Sequence, residues 1–247
     1  MPEKRARIRL FIDAAFTSGG AVALGADQAH YLINVMRQSV GDLVLVFNGR
    51  DGEWMAEIVE ARKRSVVVAL REQTRPQVGP PDVELLFAPI KKARTDFIVE
   101  KAAEMGVRAV RPVFTRRTNA ERIRLDKLQV HAVEAAEQCG GMDVPEVLEP
   151  IKLDRLIAEW PVERRLMFCD ETMRAPMGIA ALSDAGVGPW SILIGPQGGF
   201  EPVETEALRA LPQSVSVTLG PRILRADTAA IAALTLWHAV LGGWADG

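Results

Sequence analysis

Two patterns of secondary structure follow one another along this chain, and proline-rich residues 73–82 separate them. The first pattern consists of short apolar runs at close spacing, found at residues 8–12, 43–47, 53–59 and 65–70. The Asn-Gly pair at residues 48–49 is a strong turn signal. Helical spacing at residues 27–37 predicts one helix, with Asp27 near its N-cap. Closely spaced short strands are typical of a barrel-like or Greek-key module, so a first domain is predicted over residues 1–75.

Residues 76–247 show the second pattern, in which apolar strands alternate with helical segments. Strands are predicted at residues 83–88, 107–114, 166–169, 191–194 and 216–219. Helices are predicted at residues 95–105, 127–139, 203–211 and 228–241. Gly106 stands where a helix-terminating glycine is expected. Regular alternation favours an α/β domain whose mostly parallel sheet is covered by helices on both faces.

The residue types that would support several common functions are scarce. The chain contains two cysteines and three histidines, namely Cys139, Cys169, His30, His131 and His238. They form neither a disulfide framework nor a zinc-ligand pattern, so no metal is expected and a reducing, cytoplasmic setting is the simplest prediction. The longest apolar run, residues 229–241, is well short of the roughly 20 residues of a membrane span. No membrane partner is therefore expected.

Charge is distributed unevenly, although the net charge is only −2. Residues 1–127 hold 22 Lys and Arg against 16 Asp and Glu, whereas residues 128–247 hold 8 against 16. Ordinary solvated charge and a polyanionic partner for the first half explain this asymmetry equally well. Aromatic residues make up only 6% of the chain, which argues against extensive stacking on nucleobases.

Several arginines and lysines fall on predicted loops, where they would be able to bind RNA phosphates. One cluster, opposed only by Glu121, contains Arg108, Arg111, Arg116, Arg117, Arg122 and Arg124. Others are Lys91, Lys92 and Arg94 before the first helix of the second domain, and Arg5, Arg7, Arg9 and Arg37 in the first domain. The predicted RNA-binding residues among them are Arg9, Arg37, Lys91, Lys92, Arg94, Arg116 and Arg117.

Two glycine-containing loops follow predicted strands and precede predicted helices. The first is residues 195–200 (GPQGGF), and the second begins residues 219–229 (LGPRILRADTA). Ligands of open α/β sheets bind beyond the carboxyl ends of strands, where glycine lets the backbone approach them closely. The first loop would equally serve as a tight turn, and Asp227 or Thr228 would equally serve as a helix cap. Neither loop matches the dinucleotide or P-loop pattern.

Taken together and in order, these segments resemble the RsmE family of 16S ribosomal RNA uridine-N3 methyltransferases, within the SPOUT superfamily. The resemblance extends to residues 30–37 (HYLINVMR), the Gly41-Asp42 pair, residues 91–112 and residues 137–139 (EQC). It implies a PUA-like RNA-binding β-barrel over residues 1–75. It also implies a SPOUT α/β-knot methyltransferase domain over residues 76–247, with a deep trefoil knot.

The resemblance further implies that S-adenosyl-L-methionine is the cofactor, that the protein is a homodimer, and that 16S rRNA is the substrate, read within an assembled small-subunit particle. The cofactor-binding residues would be Phe168, Ile194, Gly195, Gln197, Gly198, Gly199, Leu219, Gly220, Ile223, Leu224 and Thr228. Arg225 and Asp227 are the catalytic candidates, because transfer to N3 requires loss of its proton and stabilisation of the resulting anion.

Two positions depart from the family pattern. Asp227 stands where the family commonly has Glu, which puts a base role that depends on reach in question. Gly141 stands where the family usually has Arg, so one RNA contact is either missing or supplied by another arginine. Three alternatives remain: a SPOUT enzyme for another RNA or position, a non-catalytic RNA-binding assembly factor, and a nucleotide-binding oxidoreductase. Cofactor calorimetry and mass spectrometry of RNA fractions distinguish them.

Overall fold

The computed structural model describes residue 6 and residues 8–62, 64–119 and 123–242. Arg5, Arg7, Glu121 and Arg122 therefore lie outside the described residues. The chain separates into two units. The first comprises Met1–Gly79 together with Ala136–Val144, and the second comprises Pro80–Ala135 together with Pro145–Gly247.

A five-stranded sheet forms most of the first unit. Its strands are β1 (Arg9–Phe11), β2 (Ala21–Leu24), β3 (Leu43–Phe47), β4 (Glu53–Arg62) and β5 (Ser65–Arg75). Their order is β1-β3-β4-β5-β2, with β1 parallel to β3 and the other pairs antiparallel. The inward side chains of alternating residues, such as Val44, Val46, Val66 and Val68, are fully buried, so one face of the sheet forms a core.

The helical segment of the first unit is shorter and less regular than predicted. α1 (Ala26–His30) begins after Gly25, not Asp27, because Gly25 has the extended backbone of an N-cap and Gln28 bonds back to its N–H. Residues Tyr31–Val35 then continue as a π-helical turn. Leu32 within this turn is fully buried, which anchors the segment on the sheet.

A nearly buried ion-pair network joins the two sequence segments of the first unit. Glu53 accepts hydrogen bonds from Arg9 at 2.6 Å and from Arg75 at 2.7 Å on the same oxygen. Arg9 also donates to the carbonyls of Ala136 at 2.8 Å and Gly141 at 2.6 Å. Burial alone would raise the pKa of Glu53, but the bonds from both arginines and from Thr74 outweigh it and lower that pKa to about 2. The network therefore holds a charged carboxylate in the interior.

A seven-stranded parallel sheet organises the described part of the second unit. Its strands are β6 (Val83–Phe87), β7 (Ala109–Phe114), β8 (Glu146–Val147), β9 (Ile151–Lys152), β10 (Arg165–Cys169), β11 (Trp190–Ile194) and β12 (Ser214–Val217). The order is β12-β10-β11-β6-β7-β8, with β9 also paired to β7. Every residue of β11 is buried, so both faces of the sheet centre are covered. The predicted α/β class is confirmed.

Six helices flank this sheet in the described residues. They are α2 (Lys92–Glu104), α3 (Leu125–Cys139), α4 (Leu153–Ala158), α5 (Gly178–Ala185), α6 (Pro202–Ala210) and α7 (Ala226–Val240). Gly106 follows α2 with φ 73°, the left-handed conformation that the sequence predicted for a helix end. The last four residues of α3 belong to the first unit. Among the described helices, none combines the length and apolarity needed to cross a membrane.

A candidate cofactor site at the edge of the parallel sheet

A cavity of about 430 Å³ lies beyond the carboxyl ends of β10, β11 and β12 in the second unit. Three loops line it, because the parallel strands all end at this edge of the sheet. The lining residues are Arg94, Cys169, Asp170, Glu171, Met173, Ile194, Gly195, Pro196, Gln197, Gly199, Thr218, Leu219, Arg222, Ile223, Leu224, Arg225, Ala226 and Ala229. Both glycine-containing loops found in the sequence therefore border one cavity.

The loop after β11 needs its glycines for different reasons. Gly199 has φ 70°, a backbone conformation that glycine adopts readily. A Cβ on Gly195 would lie only 2.5 Å from the ring of Phe200, so a side chain there would displace the ring. Phe200 is itself buried and packs edge-to-face on Phe168, with ring centroids 5.4 Å apart. The apolar core thus supports the loop from below.

Asp170 at the end of β10 is a buried acid on the cavity lining. Its side chain is only 1% exposed, and Arg209 of α6 donates to it at 2.5 Å. Burial alone would raise the pKa of Asp170, but hydrogen bonds from Arg209 and Thr172 outweigh it and keep the pKa below its ordinary value. A stable negative charge is therefore present at this wall of the cavity.

Glu171 and Cys169, on either side of that acid, have different roles. Glu171 accepts a hydrogen bond from the backbone N–H of Phe200 at 2.8 Å, which ties the β10 loop to the β11 loop. Burial, with a smaller contribution from the charge of Glu171, raises the pKa of the Cys169 thiol far above its usual range. Cys169 is therefore a packing residue rather than a nucleophile.

The loop after β12 supplies the opposite wall. Gly220 has φ 124°, and its carbonyl accepts a hydrogen bond from the hydroxyl of Thr218 at 3.1 Å. This turn exposes Ile223, Arg222 and Arg225 at the cavity. The cavity therefore has two exposed guanidinium groups on one wall and two carboxylates, Asp170 and Glu171, on another.

Asp227 does not cap α7, contrary to one of the alternatives drawn from the sequence. The N-cap of α7 is Arg225, whose backbone is extended, and Asp227 lies inside the first turn. Its carboxylate is 3.6 Å from Nε of Arg94, which itself lines the cavity. Thr228 is not the cap either, and its N–H donates to Asp227 at 3.1 Å.

The structure brings together most of the cofactor-binding residues predicted from the sequence. Those on the cavity lining are Ile194, Gly195, Gln197, Gly199, Leu219, Ile223 and Leu224, with the catalytic candidate Arg225. Those outside the lining are Phe168, Gly198, Gly220, Thr228 and the catalytic candidate Asp227. Phe168 lies in the core beneath the loop, and the carbonyl of Gly198 accepts a hydrogen bond from Arg117 at 2.9 Å. Direct contact with a cofactor stays a prediction for all of them.

Of the third wall of the cavity, the sequence predicted only Phe168 at the end of β10, whereas the lining is formed by Cys169, Asp170, Glu171 and Met173. The available signal was an acidic pair, Asp170 and Glu171, immediately after the apolar strand β10. A strand end of this kind lies at the same edge as the two glycine-containing loops, because all three strands are parallel.

The predicted RNA-binding residues have diverse surroundings. Arg9 is almost buried in the Glu53 network, so its guanidinium serves the fold. Arg37, Lys91, Lys92 and Arg116 are exposed, and Lys92 pairs with Asp96 at 2.6 Å. Arg94 faces the cavity, and Arg117 bonds to the loop after β11. RNA contact stays a prediction for each of these seven residues.

Comparison with known families gives two matches. Residues 78–238 match an RNA methyltransferase domain, and residues 24–70 match an RNA methyltransferase PUA domain. The ribosomal RNA small subunit methyltransferase E of Rickettsia conorii is 28% identical over 92% of this chain and 93% of its own length. These findings confirm the resemblance to the RsmE family that the sequence motifs indicated.

The solved structures that this chain resembles are also methyltransferases. A methyltransferase of Legionella pneumophila in complex with S-adenosylmethionine has a TM-score of 0.86 and 26% identity, covering 96% of this chain and 99% of that one. The ribosomal RNA small subunit methyltransferase E of Neisseria gonorrhoeae, bound to S-adenosylmethionine, has a TM-score of 0.87 and 25% identity at the same coverage. Because the domain match alone spans well over half of its length, the chain belongs to the RNA methyltransferase family.

Proposed function

We propose that this protein uses S-adenosylmethionine to methylate N3 of a uridine in 16S ribosomal RNA. The observation that carries the proposal is the shared cavity, where the loops at residues 195–199 and 219–225 border the same space. The 16S target follows the names of the ribosomal RNA small subunit methyltransferases E that this chain resembles.

The cavity fits S-adenosylmethionine in size and in charge. Its volume of about 430 Å³ falls in the range of roughly 300–1,000 Å³ typical of small-molecule sites. Arg222 and Arg225 are able to neutralise a carboxylate, whereas Glu171 complements a positive group. The apolar lining of Ile194 and neighbouring residues suits an adenine ring. When bound, S-adenosylmethionine supplies an electrophilic methyl group.

Each wall has a distinct task in this proposal. The backbone of the β11 loop, supported by Phe200 from below, would hold the adenosine part in a fixed position. Arg222 of the β12 loop would orient the amino-acid part. Fixed positioning matters because methyl transfer requires the attacking nitrogen to approach in line with the bond that breaks.

Asp227 and Arg225 are the proposed proton acceptor and anion-stabilising group. The N3–H of uridine is a weak acid, and its loss makes the nitrogen a good nucleophile. The Asp227 carboxylate lies 3.6 Å from Nε of Arg94, so the candidate base stands beside a residue that lines the cavity. Arg225 is exposed at the rim, where a positive charge would stabilise the uridine anion.

The same proposal includes the domain architecture, the oligomeric state and the form of the substrate that the family resemblance implies. The first unit, which contains the PUA match, would bind the RNA backbone. The sheet of that unit would close as a PUA-like barrel, and the second unit would form the deep trefoil knot of SPOUT enzymes. The enzyme would act as a homodimer on an assembled small-subunit particle in the cytoplasm.

Nucleoside mass spectrometry of 16S rRNA tests the proposal. A strain that lacks the gene should lack one N3-methyluridine in its 16S rRNA. The purified protein and labelled S-adenosylmethionine should restore this modification in small subunits from that strain. Normal 16S modification in the deletion strain would refute the assignment, and label in transfer RNA alone would favour the alternative substrate.

A further inference from the structure

Two loops at the carboxyl edge of the parallel sheet are joined by hydrogen bonds. Residues 115–118, here called the 115–118 loop, follow β7. Arg117 in this loop donates from Nε to Glu201 at 2.6 Å and from Nη1 to the carbonyl of Gly198 at 2.9 Å. Both acceptors belong to residues 195–201, here called the methyl-donor loop. One guanidinium therefore bridges the two loops.

A second connection runs through the backbone of the same loop. The N–H of Arg116 donates to Oε1 of Glu204 at 2.8 Å, and Oε2 of Glu204 accepts the N–H of Glu201 at 2.9 Å. Glu204 is buried in the first turn of α6, so its position is fixed by packing. The 115–118 loop is thus attached to both ends of the Gly198–Glu201 turn.

Arg117 contacts the side of the methyl-donor loop that faces away from the cavity. Its Cδ lies 3.6 Å from the position that a Cβ on Gly198 would occupy, and Gly198 does not line the cavity. The neighbouring residues Gln197 and Gly199 do line it. Arg117 therefore holds from outside the same backbone that the cofactor would contact from inside.

The neighbouring arginine is directed elsewhere. The side chain of Arg116 is exposed, forms no ion pair in the described part of the chain, and lines a second cavity of about 320 Å³. Lys152 also lines this cavity, and Phe114, Leu153, Ile157, Val203 and Ala207 give it an apolar lining. The carboxylates of Asp154 and Glu204 line it as well, and Glu204 already accepts hydrogen bonds from the N–H groups of Arg116 and Glu201. The exposed side chains of Arg116 and Lys152 beside an apolar surface suit an unstacked nucleotide of an RNA strand.

We propose that Arg117 is a positioning residue that couples cofactor binding to RNA binding. This inference rests on the proposed function. Cofactor in the first cavity restrains the methyl-donor loop, and Arg117 transmits that restraint to the loop that presents Arg116 to RNA. Coupling between two binding sites is reciprocal, so bound RNA tightens cofactor binding by the same factor.

The geometry of the arginine side chain distinguishes a bridge between the two loops from a contact that depends only on charge with an RNA phosphate. The planar guanidinium makes two bonds in fixed directions, whereas the ammonium of lysine keeps the charge but cannot reproduce this fork. An Arg117→Lys variant should therefore retain RNA affinity in the absence of cofactor and lose the coupling. If Arg117 acted only by its charge on RNA, lysine would preserve both.

The test uses the full-length protein with S-adenosylhomocysteine and with in vitro transcribed 16S rRNA. Calorimetry measures the affinity for S-adenosylhomocysteine, and filter binding measures RNA affinity with and without it. In the wild-type protein, S-adenosylhomocysteine should tighten RNA binding about 5-fold or more. In Arg117→Ala and Arg117→Lys, S-adenosylhomocysteine should bind about 10-fold more weakly, equivalent to about 1.4 kcal/mol, and the coupling should disappear.

Two control variants accompany the test. Arg116→Ala should weaken RNA binding and its salt dependence while leaving affinity for S-adenosylhomocysteine unchanged. Arg155 on α4 forms an exposed pair with Glu159 and lines neither cavity, so Arg155→Ala should change neither affinity. Thermal unfolding of each variant establishes that it is folded.

The results separate failure of this inference from failure of the proposed function. Wild-type affinity and coupling in folded Arg117→Lys and Arg117→Ala would overturn the role of Arg117 while leaving the methyltransferase assignment intact. A wild-type protein that binds S-adenosylhomocysteine without any effect on RNA affinity would also overturn the coupling. A wild-type protein that does not bind S-adenosylhomocysteine would overturn the proposed function itself.

Discussion

Replacement of Glu53 by Gln removes the negative charge at the centre of the ion-pair network in the first unit. The side chain keeps nearly the same size. The Glu53 carboxylate accepts bonds from Arg9 at 2.6 Å, from Arg75 at 2.7 and 3.0 Å, and from Thr74 at 3.0 Å. Arg9, only 11% exposed, would lose its carboxylate partner. An uncompensated buried charge is strongly destabilising.

The magnitude follows from the pKa of Glu53. That pKa falls from 4.5 to about 2, and each unit corresponds to about 1.4 kcal/mol, so the folded state gains about 3 kcal/mol from ionisation. Because the pKa is lowered on folding, this stabilisation is present above pH 4.5 and is lost as the pH falls toward 2. Glu53→Gln should therefore be about 3 kcal/mol less stable at pH 7 and should approach the wild type near pH 2.

Urea denaturation followed by tryptophan fluorescence between pH 7 and pH 2 measures the difference. Glu57→Gln is the matched control, because Glu57 lies on the same strand and forms an exposed pair with Arg71. Exposed pairs contribute about 0–1 kcal/mol, so this control should stay close to the wild type. A difference between Glu53→Gln and the wild type that stays constant across the pH range would refute the reasoning.

Three further predictions concern the candidate site. Gly195→Ala places a Cβ 2.5 Å from the ring of Phe200, so calorimetry should give at least 10-fold weaker S-adenosylmethionine binding and denaturation a loss of about 1–3 kcal/mol. Arg209→Met leaves the buried Asp170 unpaired, so the pKa of Asp170 should rise and unfolding free energy at pH 7 should fall by about 3 kcal/mol, with a smaller loss at acidic pH. Asp227→Asn should lower the methyl-transfer rate at least 100-fold in a labelled-methyl assay while S-adenosylmethionine affinity stays within about 2-fold.

Each of these predictions has a contradicting outcome. Unchanged affinity in Gly195→Ala, with Gly79→Ala as the control at an open position, would show that the ring of Phe200 moves freely. Arg209→Met as stable as the wild type at pH 7 would show that Asp170 does not depend on its partner. Full activity of Asp227→Asn would exclude Asp227 as the proton acceptor.

The order of strands and helices in the second unit was accessible from sequence because its apolar runs are long and fully buried. β11, for example, is a continuous apolar run except for Ser191, and it ends at the predicted glycine loop. The first residues of helices were harder to predict. α2 begins at Lys92, whereas the apolar spacing predicted a start at residue 95. The difference arises because the first turn of α2 has little apolar character and therefore gives no periodic signal.

The two loops of the cavity were predictable because glycine and proline mark sharp strand-to-helix turns. The role of the third wall was not, since the buried Asp170 carboxylate is stabilised mainly by Arg209, a partner 39 positions later in the chain. Arg9 is a second residue whose surroundings were not predictable. Its position in a basic cluster suggested RNA, yet its bonds to Glu53 and to main-chain carbonyls depend on tertiary contacts that no local pattern contains.

The bonds of Arg9 and Arg75 to a distant part of the chain also bear on synthesis. The five strands of the first sheet are complete once residue 75 has been made. The carbonyls of Gly140 and Gly141, however, are separated from Arg75 and Arg9 by 65 and 132 positions. During translation, the nascent sheet must therefore wait for a later segment before its two arginines are fully satisfied, and a fragment truncated at residue 79 would lack that segment altogether.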